Sequence, residues 1–165
     1  SVNVSRTYLQ KEDVAGYIKN LIDKYQIPME LFQLEITETT ENAESLSYIN
    51  SLKQAGFTLL MDDFGSGYSS LCMLKNTPFD VLKMDRQFLD ECLDSKQGKT
   101  IISHVISMSN DLGLSIIAEG VENRGTADFL YDNGCSVSQG FYFSKPVSIP
   151  EFEHMLDEQQ TEQQR

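Results

Sequence analysis

Basic residues are scarce in this sequence, and their scarcity limits what the protein can bind. Lys and Arg together number 13 against 25 Asp and Glu, which gives a formal net charge of -12 at pH 7. Surfaces that bind nucleic acids or anionic membranes need clustered Lys and Arg. The composition therefore argues against DNA or RNA as partners and against direct membrane contact by this segment. If the protein binds a phosphate ester, a cation has to assist.

Long apolar runs and regularly spaced cysteines are also missing. No apolar run approaches the roughly 20 residues that span a bilayer, and the polar start of the chain does not resemble a signal peptide. The cysteines are Cys72, Cys92 and Cys135, an odd number without metal-ligand spacing, which indicates free thiols in a reducing compartment. We therefore expect a cytoplasmic protein, and the sequence leaves open a membrane anchor before residue 1.

The chain is long enough for one domain. Its 165 residues are 40% hydrophobic, which is sufficient for one hydrophobic core. Short apolar or alternating runs predict strands at 2–5, 32–37, 57–62, 80–84, 114–118 and 135–138. Helical spacing predicts helices at 12–25, 44–55, 101–112, 124–133 and 149–156, with another beginning near residue 69. We expect the domain to occupy residues 1–157 and a polar tail to occupy residues 158–165.

Strands and helices alternate along the chain, which predicts an α/β fold with a parallel sheet and right-handed crossovers. Polar residues lie at or near the strand ends: Asn3, Glu35, Asp62 with Asp63, Lys83, Glu119 and Gln139. A β/α barrel collects such groups from many strands at one mouth, whereas an open doubly wound sheet concentrates them at one switch point. The pattern favours a TIM-like β/α barrel. A complete barrel has eight β/α units, so we expect an incomplete barrel with about six of them, the other two preceding Ser1.

The polar strand ends form a candidate metal site. Four carboxylates and one amide would converge at the barrel mouth: Glu35, Asp62, Asp63, Glu119 and Asn3. The carboxylates would repel one another without a cation, and an all-oxygen set favours Mg²⁺ or Mn²⁺ over zinc. Adjacent aspartates can serve two ions, which is the arrangement used for phosphoester displacement. Lys83 could then hold the attacking water or help to deprotonate it.

Other interpretations of these residues stay open. Asp62 and Asp63 could cap a following turn. Lys83 could reach solvent from a strand end, or it could form a Schiff base with a carbonyl substrate. The same sequence is therefore compatible with metal-dependent hydrolysis, with a Schiff-base lyase and with a purely structural role for the acidic pair.

Further polar and glycine residues near the expected rim are weaker signals. Gly65 and Gly67 could cradle an anion through their backbone, or they could form a flexible turn before a helix. Glu122 and Gln139 could line a binding site, or they could cap helices. Their functional interpretation depends on the acidic strand ends beside them.

Six motifs in the same order along the chain resemble those of the EAL domain family. They are VNVS, LEITE, MDDFGSGYSSL, VLKMDRQF, IAEGVE and QGFYFSKPV, and the resemblance extends to about Leu156. It implies a β/α barrel that hydrolyses one phosphodiester of cyclic di-GMP to linear pGpG in bacterial second-messenger signalling. It also implies two Mg²⁺ or Mn²⁺ ions as cofactors.

The resemblance also implies a role for each matching residue. Asn3, Glu35, Asp62 and Asp63 would bind metal, Glu119 would complete or support the second metal site, and Lys83 would position the nucleophilic water. Glu122 and Gln139 would line the same site and contact substrate. A loop would couple metal binding to homodimer contacts, with Glu38 holding it in place; its residues are Phe64, Gly65, Ser66, Gly67, Tyr68, Ser69 and Ser70.

One departure from the family pattern affects the expected activity. The E-A-L segment and the two strands around it are absent from this sequence, so its metal-binding Glu is absent too. We expect the complete domain to be active and this fragment to be inactive, and we expect its open strand edges to drive dimerisation or domain swapping. The alternative is a non-catalytic module that binds cyclic di-GMP or a protein partner.

Overall fold

The centre of the protein is a parallel β-sheet, seen in a computed structural model that describes residues 1–5, 13–37, 43–66 and 70–163. Its strands are β1 (Val2–Asn3), β2 (Gln33–Thr37), β3 (Thr58–Phe64), β4 (Val81–Met84), β5 (Ser115–Ala118) and β6 (Val137–Ser138). Each strand lies where the sequence predicted one, and no boundary differs by more than two residues.

The order of the strands in the sheet is the same as their order in the chain, β1-β2-β3-β4-β5-β6, and every neighbouring pair is parallel. Every crossover therefore advances by one strand in the same direction, as in a β/α barrel, whereas a doubly wound sheet reverses direction at its switch point. All carboxyl ends of the strands consequently lie at one edge. Within the part of the chain that the structure describes, β1 and β6 are the two edge strands.

The connections between strands are mainly helical. The helices are α1 (Val14–Tyr25), α2 (Ala43–Gln54), α3 (Ser70–Asn76), α4 (Arg86–Leu93), α5 (Lys96–Asp111), α6 (Arg124–Asp132) and α7 (Ile149–Gln163), with a 3-10 turn at Met29–Leu31. The sequence prediction missed α4 and began α5 at residue 101. Both differences arise at helix caps, because Asp85 accepts the N–H of Gln87 at 2.8 Å and Ser95 accepts the N–H of Gly98 at 2.9 Å.

The last helix extends into the segment that was predicted to be a polar tail. α7 continues to Gln163, because Glu and Gln are good helix formers even where no apolar side chain is available for burial. The division of the chain at residue 157 stays a prediction. None of the described helices combines the length and the apolar composition needed to cross a membrane.

The hydrophobic core lies between the sheet and the helices. Ile36, Leu59 and Leu82 from the strands are fully buried with Ile102 and Ile106 from α5. The repeated burial of positions four apart on α5 is what the sequence spacing predicted for that helix. Since the core occupies the space between the layers, the polar residues at the strand ends face the open edge of the sheet.

The opposite edge of the sheet is fixed by a different ionic contact. Asp80, which precedes β4, accepts the backbone N–H of Leu59 at 2.8 Å and forms an ion pair with Lys53 at the end of α2. This contact aligns the amino ends of β3 and β4, so it also fixes the level at which their carboxyl ends meet.

Candidate functional site

Lys83 is the centre of a buried ionic cluster at the carboxyl ends of the strands. Its Nζ lies 2.7 Å from Asp62 Oδ1, 2.8 Å from Glu119 Oε1 and 3.0 Å from Glu35 Oε1. Lys83 is 6% exposed, Glu35 7% and Asp62 8%. Removing an ion from water costs several kcal/mol unless a partner compensates it, and Lys83 provides that compensation for the carboxylates around it. The structure brings together predicted site residues from β2, β3, β4 and the end of β5.

A bulge in β3 explains how two adjacent aspartates reach the same site. Successive side chains of a regular strand point to opposite faces of the sheet. Between Met61 and Phe64 the register against β4 shifts, and Asp63 has a left-handed φ of 58°. Asp63 therefore lies beside Asp62, and carboxylate oxygens of Asp62, Asp63 and Glu119 are all within 4.8 Å of one another. Bulges commonly redirect side chains in this way next to active sites.

The chemistry of this cluster fits a hard divalent cation. Carboxylate oxygens from Asp62, Asp63 and Glu119 are close enough for one ion to contact all three, and Glu35 shares Lys83 with two of them. Ions such as Mg²⁺, Mn²⁺ and Ca²⁺ take oxygen ligands of this kind, whereas zinc sites usually include His or Cys. The group therefore has the composition that the sequence predicted for a metal site.

Asn3 and Glu35 occupy equivalent positions on neighbouring strands. Asn3 pairs with Glu35 in the parallel register of β1 and β2, and side chains at paired positions point to the same face of the sheet. Asn3 is exposed on the edge strand. Ser1 also contacts the cluster, because its hydroxyl donates a hydrogen bond to Glu35 Oε1. The assignment of Asn3 as a metal ligand stays a prediction.

Lys83 and Glu35 stabilise each other in their charged forms. Burial lowers the pKa of Lys83, but its hydrogen bonds to Asp62, Glu119 and Glu35 outweigh burial and raise the pKa overall. Burial alone would raise the pKa of Glu35, but the hydrogen bonds with Ser1 and Lys83 lower the pKa by more than burial raises it. The net pKa of Glu35 is therefore lowered. Lys83 is therefore held protonated, and Glu35 is held as a carboxylate.

Two other carboxylates of the cluster, Asp63 and Glu119, have pKa values shifted in the opposite direction to that of Glu35. Burial raises the pKa of Glu119, and the negative charges of Asp62 and Glu35 add to this effect, so the contact with Lys83 does not lower it below the ordinary value. The pKa of Asp63 is also raised, first by burial and then by the adjacent Asp62. A cation placed beside Asp63 and Glu119 would offset this repulsion and stabilise both carboxylates.

The predicted substrate-binding residues lie beside this cluster. Gln139 donates a hydrogen bond to Glu119 Oε1 at 2.6 Å, and Glu122 pairs with Arg86 at 2.8 Å. A cavity of about 500 Å³ lies next to them, and its walls include Arg86, Glu122, Gln139, Phe141 and Lys145. Gln139 therefore connects the carboxylate cluster to a space large enough for part of a ligand.

Comparison with known proteins shows the family of this chain. The profile described as the EAL domain matches residues 1–146. The chain belongs to the EAL domain family. Its relatives include the cyclic di-GMP phosphodiesterase RocR of Pseudomonas aeruginosa, which is 37% identical over 94% of this chain and 40% of RocR. The chain spans between about one fifth and two fifths of the length of the curated relatives it matches.

Solved structures of EAL proteins confirm the predicted fold class. The EAL domain of Mycobacterium smegmatis DcpA has a TM-score of 0.86 at 33% identity, over 94% of this chain and 71% of that chain. Klebsiella pneumoniae BlrP1, in a complex with manganese and cyclic di-GMP, has a TM-score of 0.81 at 28% identity, over 88% of this chain and 38% of that chain. The predicted TIM-like α/β fold class is therefore confirmed, and at least one of these similar EAL structures was solved in a complex with manganese.

The loop after the paired aspartates packs against α4 of this EAL domain. Phe64 and Phe88 form an edge-to-face contact with ring centroids 6.1 Å apart. Gly65 has a φ of 98°, and a Cβ atom added there would lie 2.5 Å from the Phe88 ring. Ser66 donates its N–H to the carbonyl of Asp63 at 3.1 Å, so the described part of the loop is fixed directly to a predicted metal ligand.

Some of the residues predicted for this loop and its support are outside the described part of the chain. Gly67, Tyr68 and Ser69 lie outside the described residues, as does Glu38, which was expected to hold the loop. Ser70 is the first residue of α3. The coupling of this loop to dimer contacts therefore stays a prediction.

Sequence reasoning missed two residues that contact the EAL site. Arg86 pairs with Glu122, and Ser1 donates to Glu35. Arg86 stands three residues after Lys83 in the KMDR segment, directly behind the Asp85 cap. Recognising Asp85 as a helix cap would have placed Arg86 on the first turn of a helix at the barrel mouth, where a basic side chain can reach the predicted acidic rim.

Proposed function

We propose that this chain is part of an EAL domain that hydrolyses one phosphodiester bond of cyclic di-GMP and releases linear pGpG, with two Mg²⁺ or Mn²⁺ ions. The observation that carries the proposal is the contact of Lys83 with three carboxylates beside the bulged Asp62–Asp63 pair. Support also comes from RocR, which is described as a cyclic di-GMP phosphodiesterase, and from BlrP1, whose structure contains manganese and cyclic di-GMP.

The oxygen ligands available in the site determine where ions would be held. The groups that would hold them are Asn3, Glu35, Asp62, Asp63 and Glu119. When bound, two divalent ions supply charge stabilisation for the phosphoryl group and lower the pKa of a water molecule. The close approach of the Asp62, Asp63 and Glu119 carboxylates is the feature of this chain that favours such binding.

Lys83 acts through its positive charge and its hydrogen-bond donors. Its raised pKa makes it a poor base at neutral pH, so it orients a water molecule and stabilises negative charge on the phosphoryl oxygens. Glu119 contacts both Lys83 and Gln139, and this contact fixes its carboxylate between the catalytic lysine and the cavity. Glu122 and Gln139 line the cavity and contact the part of the dinucleotide beyond the scissile bond.

A Schiff-base lyase is a weaker explanation for this lysine. A Schiff-base lysine needs a neutral amine, which enzymes obtain by lowering the lysine pKa in an apolar pocket or near another cation. Lys83 instead has three carboxylates within 3.0 Å of its Nζ, and its pKa is raised. Borohydride should therefore trap no carbonyl adduct on Lys83.

The 165 residues lack one group that the proposed reaction needs. It covers 71% of the DcpA EAL domain chain, and the family's E-A-L motif is not found in its sequence. We infer that the 165 residues alone are inactive because one metal-binding Glu is missing, and that the active form is a cytoplasmic homodimer of the complete domain. A non-catalytic cyclic di-GMP-binding module is the second candidate.

Release of pGpG from cyclic di-GMP, followed by chromatography, tests the function directly. The full-length protein that contains this chain should release pGpG in the presence of Mg²⁺ or Mn²⁺. This release should stop when EDTA is added. The variant Asp63→Asn should reduce turnover strongly without unfolding the protein. Tight binding of cyclic di-GMP by calorimetry without any turnover would support the binding module instead. A protein that shows no binding of cyclic di-GMP and no turnover would overturn both candidates.

A further inference from the structure

We propose that Arg86 is a positioning residue that holds the turn after β5 and aims the Glu122 carboxylate at the ligand. The inference rests on the proposed hydrolysis of cyclic di-GMP and assigns a function to a residue outside the metal cluster. Arg86 Nη1 lies 2.8 Å from Glu122 Oε1, and both residues line the cavity beside Gln139. Arg86 begins α4 directly after its Asp85 cap, so the same β4–α4 junction supplies both Lys83 and Arg86.

The stem of Arg86 also contacts the backbone of the turn. Gly120 lies between Glu119 and Glu122 with a φ of 65°, and a Cβ atom added to it would lie 2.5 Å from Arg86 Cγ. Only a glycine therefore allows the turn to approach the arginine this closely. Arg86 consequently contacts the turn twice, through its aliphatic stem at Gly120 and through its guanidinium at Glu122.

The residues after β6 hold the turn from a second direction. Val121 donates its N–H to the carbonyl of Gln139 at 3.0 Å and accepts the N–H of Tyr142 at 3.0 Å. A Cβ atom on Gly140 would lie 2.2 Å from the Val121 carbonyl oxygen. The backbone at Val121 is thus fixed, which leaves the Glu122 side chain as the part of the turn that Arg86 orients.

Stability alone does not account for the Arg86–Glu122 pair. The side chains are 52% and 46% exposed, and ion pairs at such exposure contribute little to folding because water screens them. Arg86 has a second, longer contact with Asp90 at 3.4 Å. The closer Glu122 contact is the one that faces the cavity, so its effect should appear in ligand binding.

The charge of the ligand explains why Glu122 needs an arginine. Cyclic di-GMP carries two phosphodiester anions, and an uncompensated carboxylate in the cavity wall would repel them. Arg86 neutralises Glu122 through one oxygen and leaves the other oxygen free to accept from an N–H donor on the ligand. The planar guanidinium of arginine fixes the orientation of a carboxylate better than the single ammonium of lysine does.

A matched pair of arginine variants tests this role in the metal-loaded full-length protein. Arg86→Gln removes the pair, and Arg124→Gln is the control. Arg124 is also the first residue of its helix and also pairs with an aspartate four residues later, at 3.3 Å, but it does not line the cavity. Arg86→Lys keeps the charge without the planar fork. The readouts are KM and kcat for pGpG release, the calorimetric affinity for cyclic di-GMP, and the thermal unfolding midpoint.

We expect Arg86→Gln to raise KM and weaken binding about tenfold, the size of effect seen when one charged hydrogen-bond contact is lost. We expect kcat within about twofold of wild type and a midpoint within about 3 °C, because exposed ion pairs contribute little to stability. Arg86→Lys should be intermediate, and Arg124→Gln should resemble wild type. In a Glu122→Gln background, Arg86→Gln should change KM less than about twofold, because the contact is already lost.

Two results would overturn the inference while leaving the proposed hydrolase intact. One is a KM for Arg86→Gln equal to that of Arg124→Gln in an active enzyme. The other is an equal loss in the Glu122→Gln background, which would show that Arg86 acts independently of Glu122. A wild-type protein that neither binds nor hydrolyses cyclic di-GMP would overturn the hydrolase proposal, and this inference with it.

Discussion

Replacement of Lys83 with Met would remove the positive charge of the ionic cluster while keeping a side chain of similar length. The three carboxylates lie 2.7–3.0 Å from Lys83 Nζ, so each attracts it by roughly 6 kcal/mol at an effective dielectric constant near 20, before desolvation. Desolvation offsets much of that attraction, and losing one partner of a buried ion pair typically costs about 3–5 kcal/mol. We expect the unfolding free energy of the metal-free protein to fall by about 3–5 kcal/mol.

Urea denaturation in EDTA measures this loss, and Lys53→Met is the matched control. Lys53 also pairs with an aspartate, Asp80, but the two side chains are 36% and 35% exposed. We expect the control to lose only about 0.5–1 kcal/mol, as exposed pairs do. The midpoint should shift while the denaturant slope stays constant, since neither variant changes the surface exposed on unfolding.

Divalent metal and acidic pH should both reduce the loss of unfolding free energy in Lys83→Met. Added Mn²⁺ would neutralise the same carboxylates, so the gap between Lys83→Met and wild type should narrow in its presence. The stability from the raised Lys83 pKa is complete below pH 10 or so and is lost as pH rises through the folded value. The stability from the lowered Glu35 pKa is present above pH ~4.3 and is lost as pH falls through the folded value. The loss of unfolding free energy in Lys83→Met should therefore be largest near neutral pH and smallest in acid.

The reasoning is refuted if Lys83→Met loses less than about 1 kcal/mol without metal, which is the range of exposed pairs. Equal losses for Lys83→Met and Lys53→Met would carry the same meaning. Either result would show that water, and not Lys83, compensates the carboxylates of the cluster. The proposed role of Lys83 beside the substrate would then lose its structural basis.

Further predictions concern the bulged aspartate and the loop behind it. Asp63→Asn should stabilise the metal-free protein at pH 7 by about 1 kcal/mol, because it removes repulsion between close carboxylates and because Asn tolerates a left-handed backbone. Since the Asp63 pKa is raised, this gain should vanish as pH falls below the ordinary aspartate pKa; thermal unfolding against pH measures it, and a loss of stability would contradict it. The same variant should lose most of the Mn²⁺-dependent rise in unfolding temperature, whereas an unchanged rise would exclude Asp63 as a ligand. Gly65→Ala should destabilise by about 1–3 kcal/mol through its positive φ and its clash with Phe88. Gly56→Ala, with a φ of 93° and no neighbouring atom within 4 Å, gives the cost of φ alone, and equal losses in urea would show that the Phe88 contact is unimportant.

Much of the fold could be predicted because its signals are local. Each strand combines apolar residues with a polar carboxyl end, and this pattern gave every strand of the described sheet to within two residues. Parallel order then follows from the alternation of strands with helices, and the barrel class follows from the polar residues at the ends of many strands. The prediction missed α4 because its signal is the Asp85 cap, not a long apolar stripe. It missed the helical continuation of α7 because an exposed helix needs no apolar residues.

The sequence by itself determined the kinds of groups in the site: acidic and amide side chains at strand ends, one lysine among them, and an EAL motif order. Only the tertiary structure decided how these groups meet. The β3 bulge placed Asp63 beside Asp62, Lys83 came to contact three carboxylates, and Arg86 came to pair with Glu122. The Lys83 and Arg86 contacts join residues that are far apart in the chain, and the placement of Asp63 depends on a break in strand alternation within β3. Local sequence periodicity does not reveal long-range contacts or a local break in alternation.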